Sequence, residues 1–79
     1  MSIREKLEAL GLELPVAAAP LAAYVPAVRT GKLVFTAGQL PMVNGAIPLT
    51  GKVGAEVSVE QAKELAEVCA LNALAALNL

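Results

Sequence analysis

The first apolar positions of the chain recur at the spacing of a short helix. Three of them share one helical face: Ile3, Leu7 and Leu10. Ser2 and Glu5 have the spacing of a capping box, and Gly11 is a natural helix stop. The pattern therefore predicts a helix over residues 2–10, within an N-terminal unit that spans residues 1–11.

Proline and alanine dominate the next stretch, residues 12–22, which we expect to be an extended connector. Two short apolar runs follow, Ala23–Val28 and Leu33–Thr36, and their composition is that of β-strands. The intervening Arg29–Lys32 contains Gly31 and predicts the turn of a hairpin. Pro26 would place the first strand at a sheet edge.

Residues 41–54 are predicted to be a loop, because turn-forming residues recur there. Asn44-Gly45 is a strong turn signal, but the flanking alternation is too short to require a full hairpin. Residues 23–57 thus form a unit of strands and loop.

A long helix over residues 58–79 is the clearest prediction. Ser58 and Gln61 repeat the capping-box spacing, and neither glycine nor proline interrupts the run after them. The positions with helical period form an alanine-rich stripe: Ala62, Leu65, Ala66, Cys69, Ala73, Ala76 and Leu77. We expect this stripe to pack tightly against a sheet, with Cys69 as a core residue.

The predicted elements describe only part of a domain. Two or three strands with one covering helix are half of an α+β sandwich, so residues 1–79 read as a single partial domain. The chain is 57% hydrophobic, which is high for a soluble monomer of 79 residues. We therefore expect a missing segment of the same protein, a partner subunit, or both to cover part of its apolar surface.

Charge and composition exclude several classes of function. The net charge is −1 and the basic residues are scattered, which disfavours nucleic-acid binding. The weakly polar stretch over 14–28 is too short and too proline-rich for a membrane helix, and the N-terminus is not a signal peptide. Zinc is disfavoured because histidine and aspartate are absent and Cys69 is the single cysteine. A lone cysteine fits a cytoplasmic setting.

The segment Thr36-Ala37-Gly38-Gln39-Leu40-Pro41 is the most informative candidate for a site. A glycine just after an apolar strand allows a ligand or another backbone to approach closely. A β-bulge or a packing requirement would explain the same glycine. Tyr24 is either a core aromatic residue or a residue of the site. Glu56 and Glu60 bracket a helix start, where acids favour the helix dipole.

Together these segments resemble the opening of the Rid family, the YjgF-like reactive intermediate deaminases, also described as L-PSP endoribonuclease-like. Four segments carry the resemblance: Ala23-Tyr24-Val25-Pro26, Thr30 to Pro41, Gly51-Lys52-Val53-Gly54 and Ala70-Leu71-Asn72-Ala73-Leu74. The resemblance covers nearly the whole chain, with an extra N-terminal helix. It implies an α+β, chorismate-mutase-like fold: a ferredoxin-like sheet with helices on one face, present here as its N-terminal half.

The family resemblance also implies a function. The expected assembly is a homotrimer with clefts between subunits. The expected reaction is hydrolysis of reactive 2-imino acids to 2-oxo acids and ammonia, with neither metal nor organic cofactor. The substrate-binding positions carried over by the resemblance are Tyr24, Thr36, Ala37, Gly38 and Gln39. Tyr24 would line the cleft, Gly38 would place backbone beside the substrate, and Gln39 would hold the loop.

Two departures from the family pattern bear on activity. Many relatives carry serine or threonine in place of Ala37, so one polar contact is missing. The carboxylate-binding arginine and water-positioning glutamate belong to the second half of the family fold, and neither Arg4 nor Arg29 matches that arginine. The 79-residue chain alone is therefore predicted to be inactive. The alternatives are a non-catalytic trimeric protein that binds small carboxylates and, less favoured, an endoribonuclease or translation inhibitor.

Overall fold

The structure is a computed structural model that describes residues 2–17 and 25–77. Its elements follow the order α1 (Ile3–Ala9), β1 (Ala27–Thr30), β2 (Leu33–Thr36) and α2 (Val59–Ala76). The predicted α+β class is confirmed. Ala23 and Tyr24, which the sequence assigned to the first strand, lie outside the described residues, as does the end of the connector.

Both ends of helix α1 are closed by the residues that predicted them. The Ser2 side chain accepts a hydrogen bond from the Glu5 backbone N–H, and the Glu5 side chain accepts one from the Ser2 backbone N–H. After the helix, Gly11 has φ 77°, and the N–H of Leu12 donates to the carbonyl of Leu7 at 2.9 Å. This is a Schellman motif, which satisfies carbonyls that the last turn leaves unpaired. Leu7 is buried, whereas Leu10, predicted on the same face, is mostly exposed.

Strands β1 and β2 form a two-stranded antiparallel sheet, with Ala27 opposite Thr36 and Thr30 opposite Leu33. The predicted turn over Arg29–Lys32 is therefore too long, because Arg29 and Thr30 belong to β1. A left-handed conformation is needed only at Gly31, whose φ is 58°, and this is the pattern of a two-residue type II′ turn. The Arg29 Nε donates to the Gly31 carbonyl at 3.1 Å and closes the turn.

The loop after β2 contains a second tight turn. Asn44 and Gly45 both have positive φ, 52° and 81°, as a type I′ turn requires. Val43 and Ala46 exchange backbone hydrogen bonds of 2.8 and 3.1 Å across it. The Asn-Gly signal is confirmed as a turn, and the pairing stops at one bridge.

Helix α2 begins as predicted, with a reciprocal capping box between Ser58 and Gln61. Its buried stripe is displaced from the prediction: Ala66 is exposed, whereas Asn72 and Ala75 are among its most buried residues. The apolar pattern missed this because it excluded a polar residue from the buried face. Cys69 is half-buried, near the edge of the stripe.

The predicted tight packing of α2 on the sheet is not observed. Extensive contact between elements within the described ranges is confined to β1 with β2, and every residue of β2 is exposed. Antiparallel partners project to the same side, so Val28, Leu33 and Phe35 share one face, where they are 53%, 61% and 61% exposed. We call this triad the open face. Two strands alone do not provide enough surface to bury it.

The accessible surface measures how much remains uncovered. The chain exposes 5,967 Å², whereas a compact monomer of 8.1 kDa would expose about 4,500 Å². The difference, about 1,500 Å², is close to the total area buried in a standard protein–protein interface. The radius of gyration of 13.8 Å likewise exceeds the value of about 11.6 Å for a compact domain of this length. Neither described helix is both long and apolar enough to cross a bilayer.

Candidate functional site

The predicted site residues lie where strand β2 leaves the sheet, in a segment we call the strand-exit loop, residues 36–42. Thr36 is the last residue of β2, and Ala37, Gly38 and Gln39 follow it directly. Four of the five predicted positions are thus contiguous in the structure. Tyr24, the fifth, lies outside the described residues.

The start of the strand-exit loop is tied to the neighbouring strand. The backbone N–H of Ala37 donates to the carbonyl of Pro26 at 2.9 Å, which continues the β1–β2 pairing one step beyond the sheet. Pro26 has no N–H to donate, so it suits a position at the sheet end. The side-chain amide of Gln39 donates to the Ala37 carbonyl at 3.3 Å. This bond ties the Gln39 side chain to the loop backbone two residues earlier, and the role of Gln39 in the site stays a prediction.

The end of the loop is a tight turn centred on Pro41. The N–H of Met42 donates to the carbonyl of Leu40 at 2.8 Å, which closes a three-residue γ-turn. Proline favours the central position because its ring fixes φ near the value such a turn requires.

Asn72 of helix α2 holds this turn. Its Nδ2 donates to the carbonyl of Leu40 at 2.9 Å and to the carbonyl of Met42 at 3.1 Å. Asn72 is only 3% exposed, so these bonds form away from water, where an unpaired polar group is costly. Asn72 was not among the predicted site residues. One feature of the sequence could have pointed to Asn72: asparagine is a weak helix former, and here it lies on the inner side of an alanine-rich helix.

Gly38 lies between the two attachments and has open space beside it. A Cβ built on Gly38 would meet no heavy atom within 4 Å, and the φ of Gly38 is outside the left-handed region. Backbone strain and local packing therefore do not account for glycine there in the described chain. Open space next to a fixed backbone is what close approach of a ligand requires.

A separate groove of about 730 Å³ lies beyond the end of the loop. Its wall is formed by the connector, the last residue of the strand-exit loop, the second tight turn and α2: Glu13, Leu14, Pro15, Val16, Ala17, Met42, Val43, Asn44, Gly45, Val68, Leu71 and Asn72. Asn72 thus contacts both the strand-exit loop and this groove. Residues 36–39 do not line the groove, so it is distinct from the predicted site.

The segment Gly51–Val57 forms a compact turn closed by a carboxylate. The Glu56 Oε2 accepts from the Lys52 backbone N–H at 3.1 Å. Hydrogen bonds from the backbone N–H of Glu56 itself and from that of Lys52 lower the pKa of the Glu56 carboxyl below its ordinary value of 4.5. Gly51 lies close to Glu56 and has φ 140°, so a larger side chain at position 51 would clash with Glu56.

The described residues do not bring together a set of groups for metal ligation or for nucleophilic catalysis. Groups of three or more histidine, cysteine, aspartate or glutamate side chains are absent from the described ranges. Arg29 lies at the turn end of the hairpin, whereas Thr36 is at the opposite end, so Arg29 is not beside the strand-exit loop. The site as described is therefore a backbone platform, with open space beside Gly38.

The hairpin, its exit loop and the capped long helix form an α+β arrangement, and comparisons with known proteins identify its fold as chorismate-mutase-like. A model of the family described as "YjgF/chorismate_mutase-like, putative endoribonuclease" matches residues 4–79. The chain belongs to this family, and the suspected Rid resemblance is confirmed at that level.

Three relatives show the extent of the similarity. The protein Atu1372 of unknown function from Agrobacterium tumefaciens shares 45% identity over 96% of this chain, with a TM-score of 0.77. A Shewanella oneidensis protein described as a "putative endoribonuclease" shares 36% identity over 94%, with a TM-score of 0.84. Protein TCP17 of Trypanosoma cruzi is 38% identical over 69 residues, 87% of this chain.

The chain spans about half the length of these relatives. It covers 45% of the Agrobacterium chain, 49% of the Shewanella chain and 43% of the Trypanosoma protein. The shared fold is therefore established for these residues, and the activity and assembly of a whole protein are matters for proposal.

Proposed function

We propose that these residues form the N-terminal half of a Rid-type hydrolase that converts reactive 2-imino acids to 2-oxo acids and ammonia. The observation that carries the proposal is the strand-exit loop: a backbone platform, attached at both ends, beside open space at Gly38 in a member of this family. Preorganised backbone groups are suited to orient a small planar substrate.

The chemistry requires orientation and proton transfer. Water attacks the carbon of the protonated imine, a C–O bond forms, and the C=N π electrons move to nitrogen. A proton then passes from the added oxygen to the nitrogen, the C–N bond breaks with its electrons leaving on ammonia, and the remaining hydroxyl proton is lost to solvent as the C=O bond of the 2-oxo acid forms. Backbone groups around Gly38 would orient the imine. The arginine that grips the substrate carboxylate and the glutamate that positions water would come from the second half of the fold.

Assembly forms part of the proposal. The open face and the excess surface of about 1,500 Å² support completion by a second half and by neighbouring subunits, with a homotrimer as the expected state. The open face is apolar at its centre, and association would remove it from water. The 79-residue chain alone should therefore be inactive.

Two other functions compete. A non-catalytic protein of the same fold would bind a small carboxylate beside Gly38 without turnover. The second alternative is endoribonuclease activity, which the descriptions of the family and of the Shewanella protein name. The net charge of −1 and the presence of only Tyr24 and Phe35 as aromatic residues disfavour RNA binding, which relies on cationic and stacking surfaces.

The direct test measures 2-oxo acid and ammonia release by the complete polypeptide that carries these residues. The imine is generated in place from threonine by a pyridoxal-phosphate dehydratase, and release is compared with the spontaneous rate. Acceleration above the spontaneous rate is expected. Binding of 2-oxobutanoate without acceleration would favour the carboxylate-binding alternative. RNA cleavage that survives rigorous removal of contaminating nuclease would favour the endoribonuclease.

A matched pair of variants connects activity to the site. Gly38→Val should fold, because the added side chain meets open space, yet it should obstruct the substrate and lower the rate. Ala70→Val introduces the same side chain at an exposed position of α2 and should keep the wild-type rate. Equal rates for both variants and the wild type would remove Gly38 from the site.

A further inference from the structure

We propose that Asn72 is a positioning residue for the reaction: it fixes the strand-exit loop from helix α2 so that the backbone around Gly38 holds the imine in a productive orientation. This inference rests on the proposed function, and it assigns a role to a residue that would not itself touch the substrate.

The connectivity of the loop carries the argument. At its N-terminal end, the backbone N–H of Ala37 donates to the carbonyl of Pro26, the residue directly before β1, at 2.9 Å. Its C-terminal end is attached through Leu40 and Met42 to one side-chain amide, that of Asn72, at 2.9 and 3.1 Å. These contacts join residues 30 and 32 positions apart, so they tie the loop to a different part of the fold.

Asparagine is chemically suited to this double contact. Its amide nitrogen carries two hydrogens, and each can reach one carbonyl. The γ-turn centred on Pro41 presents the carbonyls of Leu40 and Met42 near each other, so one Nδ2 serves both. Aspartate has the same shape, but it would place a carboxylate oxygen where Nδ2 stands, and that oxygen would repel the two carbonyl oxygens.

The attachments on either side of Gly38 hold the backbone there beside open space. A Cβ on Gly38 would meet no heavy atom within 4 Å, so no side chain of the described residues packs against that side of Gly38. A displacement of about 1 Å at a residue that orients substrate can reduce a rate on the order of 100-fold. Loss of the Asn72 contact should therefore be seen in kcat more than in KM.

The experiment compares Asn72→Asp with Leu7→Ala in the complete polypeptide. Leu7 is buried in α1, outside the strand-exit loop, so Leu7→Ala reports a loss of stability without loss of the loop attachment. We expect Asn72→Asp to lower kcat on the order of 10- to 100-fold with a smaller change in KM. Leu7→Ala should leave both constants near wild type at a temperature where all variants are folded.

A second measurement does not depend on turnover. Hydrogen exchange of the Met42 amide, which donates to the Leu40 carbonyl, should speed up at least about 10-fold in Asn72→Asp. Exchange of the β1–β2 amides should not change, and Leu7→Ala should leave the Met42 amide protected. Unchanged exchange at Met42, or kinetic constants for Asn72→Asp that match those of Leu7→Ala, would overturn the positioning role. If the wild type fails to hydrolyse imines, the proposed function fails, and the exchange result still decides whether Asn72 holds the loop.

Discussion

Replacing Gly51 by alanine tests the packing of the Gly51–Val57 turn most directly. Gly51 has φ 140°, and a Cβ there would lie 2.6 Å from the Cβ of Glu56. Ordinary contact begins at 3.4 Å, so the two chain segments would have to separate by 0.8 Å. Glu56 cannot move away freely, because its carboxylate accepts from the Lys52 N–H at 3.1 Å.

Two costs add in this variant. An alanine held at a φ that favours glycine costs about 1–3 kcal/mol. Overpacking of the kind that the Cβ contact imposes costs about 1–3 kcal/mol more. The expected loss of about 2–6 kcal/mol is large beside the total of about 5–15 kcal/mol that is typical of folded proteins.

Two other glycines allow the conformational cost and the steric cost to be measured separately. Gly54→Ala has the unfavourable φ, 89°, without a neighbour within 4 Å, so it should show the conformational cost alone. Gly38→Ala has neither problem and should change the free energy of unfolding by less than about 1 kcal/mol. Removing the opposing Cβ with Glu56→Gly should recover part of the loss in a double-mutant cycle with Gly51→Ala.

The assay is urea unfolding of the complete polypeptide, followed by far-ultraviolet circular dichroism. The order of destabilisation should be Gly51→Ala first, then Gly54→Ala, then Gly38→Ala, with similar m-values. Equal losses for Gly51→Ala and Gly54→Ala, or no coupling with Glu56→Gly, would refute the steric argument.

Five further outcomes are expected. The pKa of Glu56 is lowered in the folded chain, so its carboxylate stabilises the fold at pH values above the pKa of the unfolded chain. This stabilisation is lost as the pH falls through the pKa of the folded chain. Glu56→Gln should therefore flatten the decline in unfolding free energy between about pH 6 and about pH 3. Ser58→Ala should cost about 1 kcal/mol of unfolding free energy, because it removes an N-cap, and Ser58→Asp should restore most of it. Asn72→Leu should cost about 1–3 kcal/mol in urea unfolding, since the carbonyl of Met42 loses the donor of a part-buried hydrogen bond. The isolated 79-residue chain should show no imine hydrolysis above the spontaneous rate, and Phe35→Lys on the open face should lower the mass of the complete protein in sedimentation.

Each of these expectations has a contrary result, and for Asn72→Leu it is an unchanged free energy of unfolding. A pH profile that is the same with and without the Glu56 carboxyl would remove its role in the turn. Ser58→Ala without effect would mean that α2 does not depend on its capping box. Turnover by the isolated chain would show that catalysis does not need a second half of the fold, and an unchanged mass for Phe35→Lys would mean that the open face takes no part in assembly.

Local structure could be determined from the sequence because its causes are local. Both capping boxes join residues three positions apart, so Ser2 with Glu5 and Ser58 with Gln61 predict helix starts without any knowledge of the fold. The Asn44-Gly45 turn follows from residues that tolerate positive φ. The resemblance of these segments to a known family then located the candidate site at Thr36 to Gln39, a placement that stays a prediction.

The tertiary structure decided what depends on distant residues. Arg29 and Thr30 belong to β1 because pairing with β2 leaves only Gly31 and Lys32 for the turn. Asn72 is buried because two carbonyls more than 25 residues away accept its hydrogens, a contact no local pattern records. The open face remains uncovered because a two-stranded sheet and a helix cannot enclose a core. Spacing along the chain sets helix starts and turns, whereas register, buried polar contacts and the extent of burial arise only when separate segments meet.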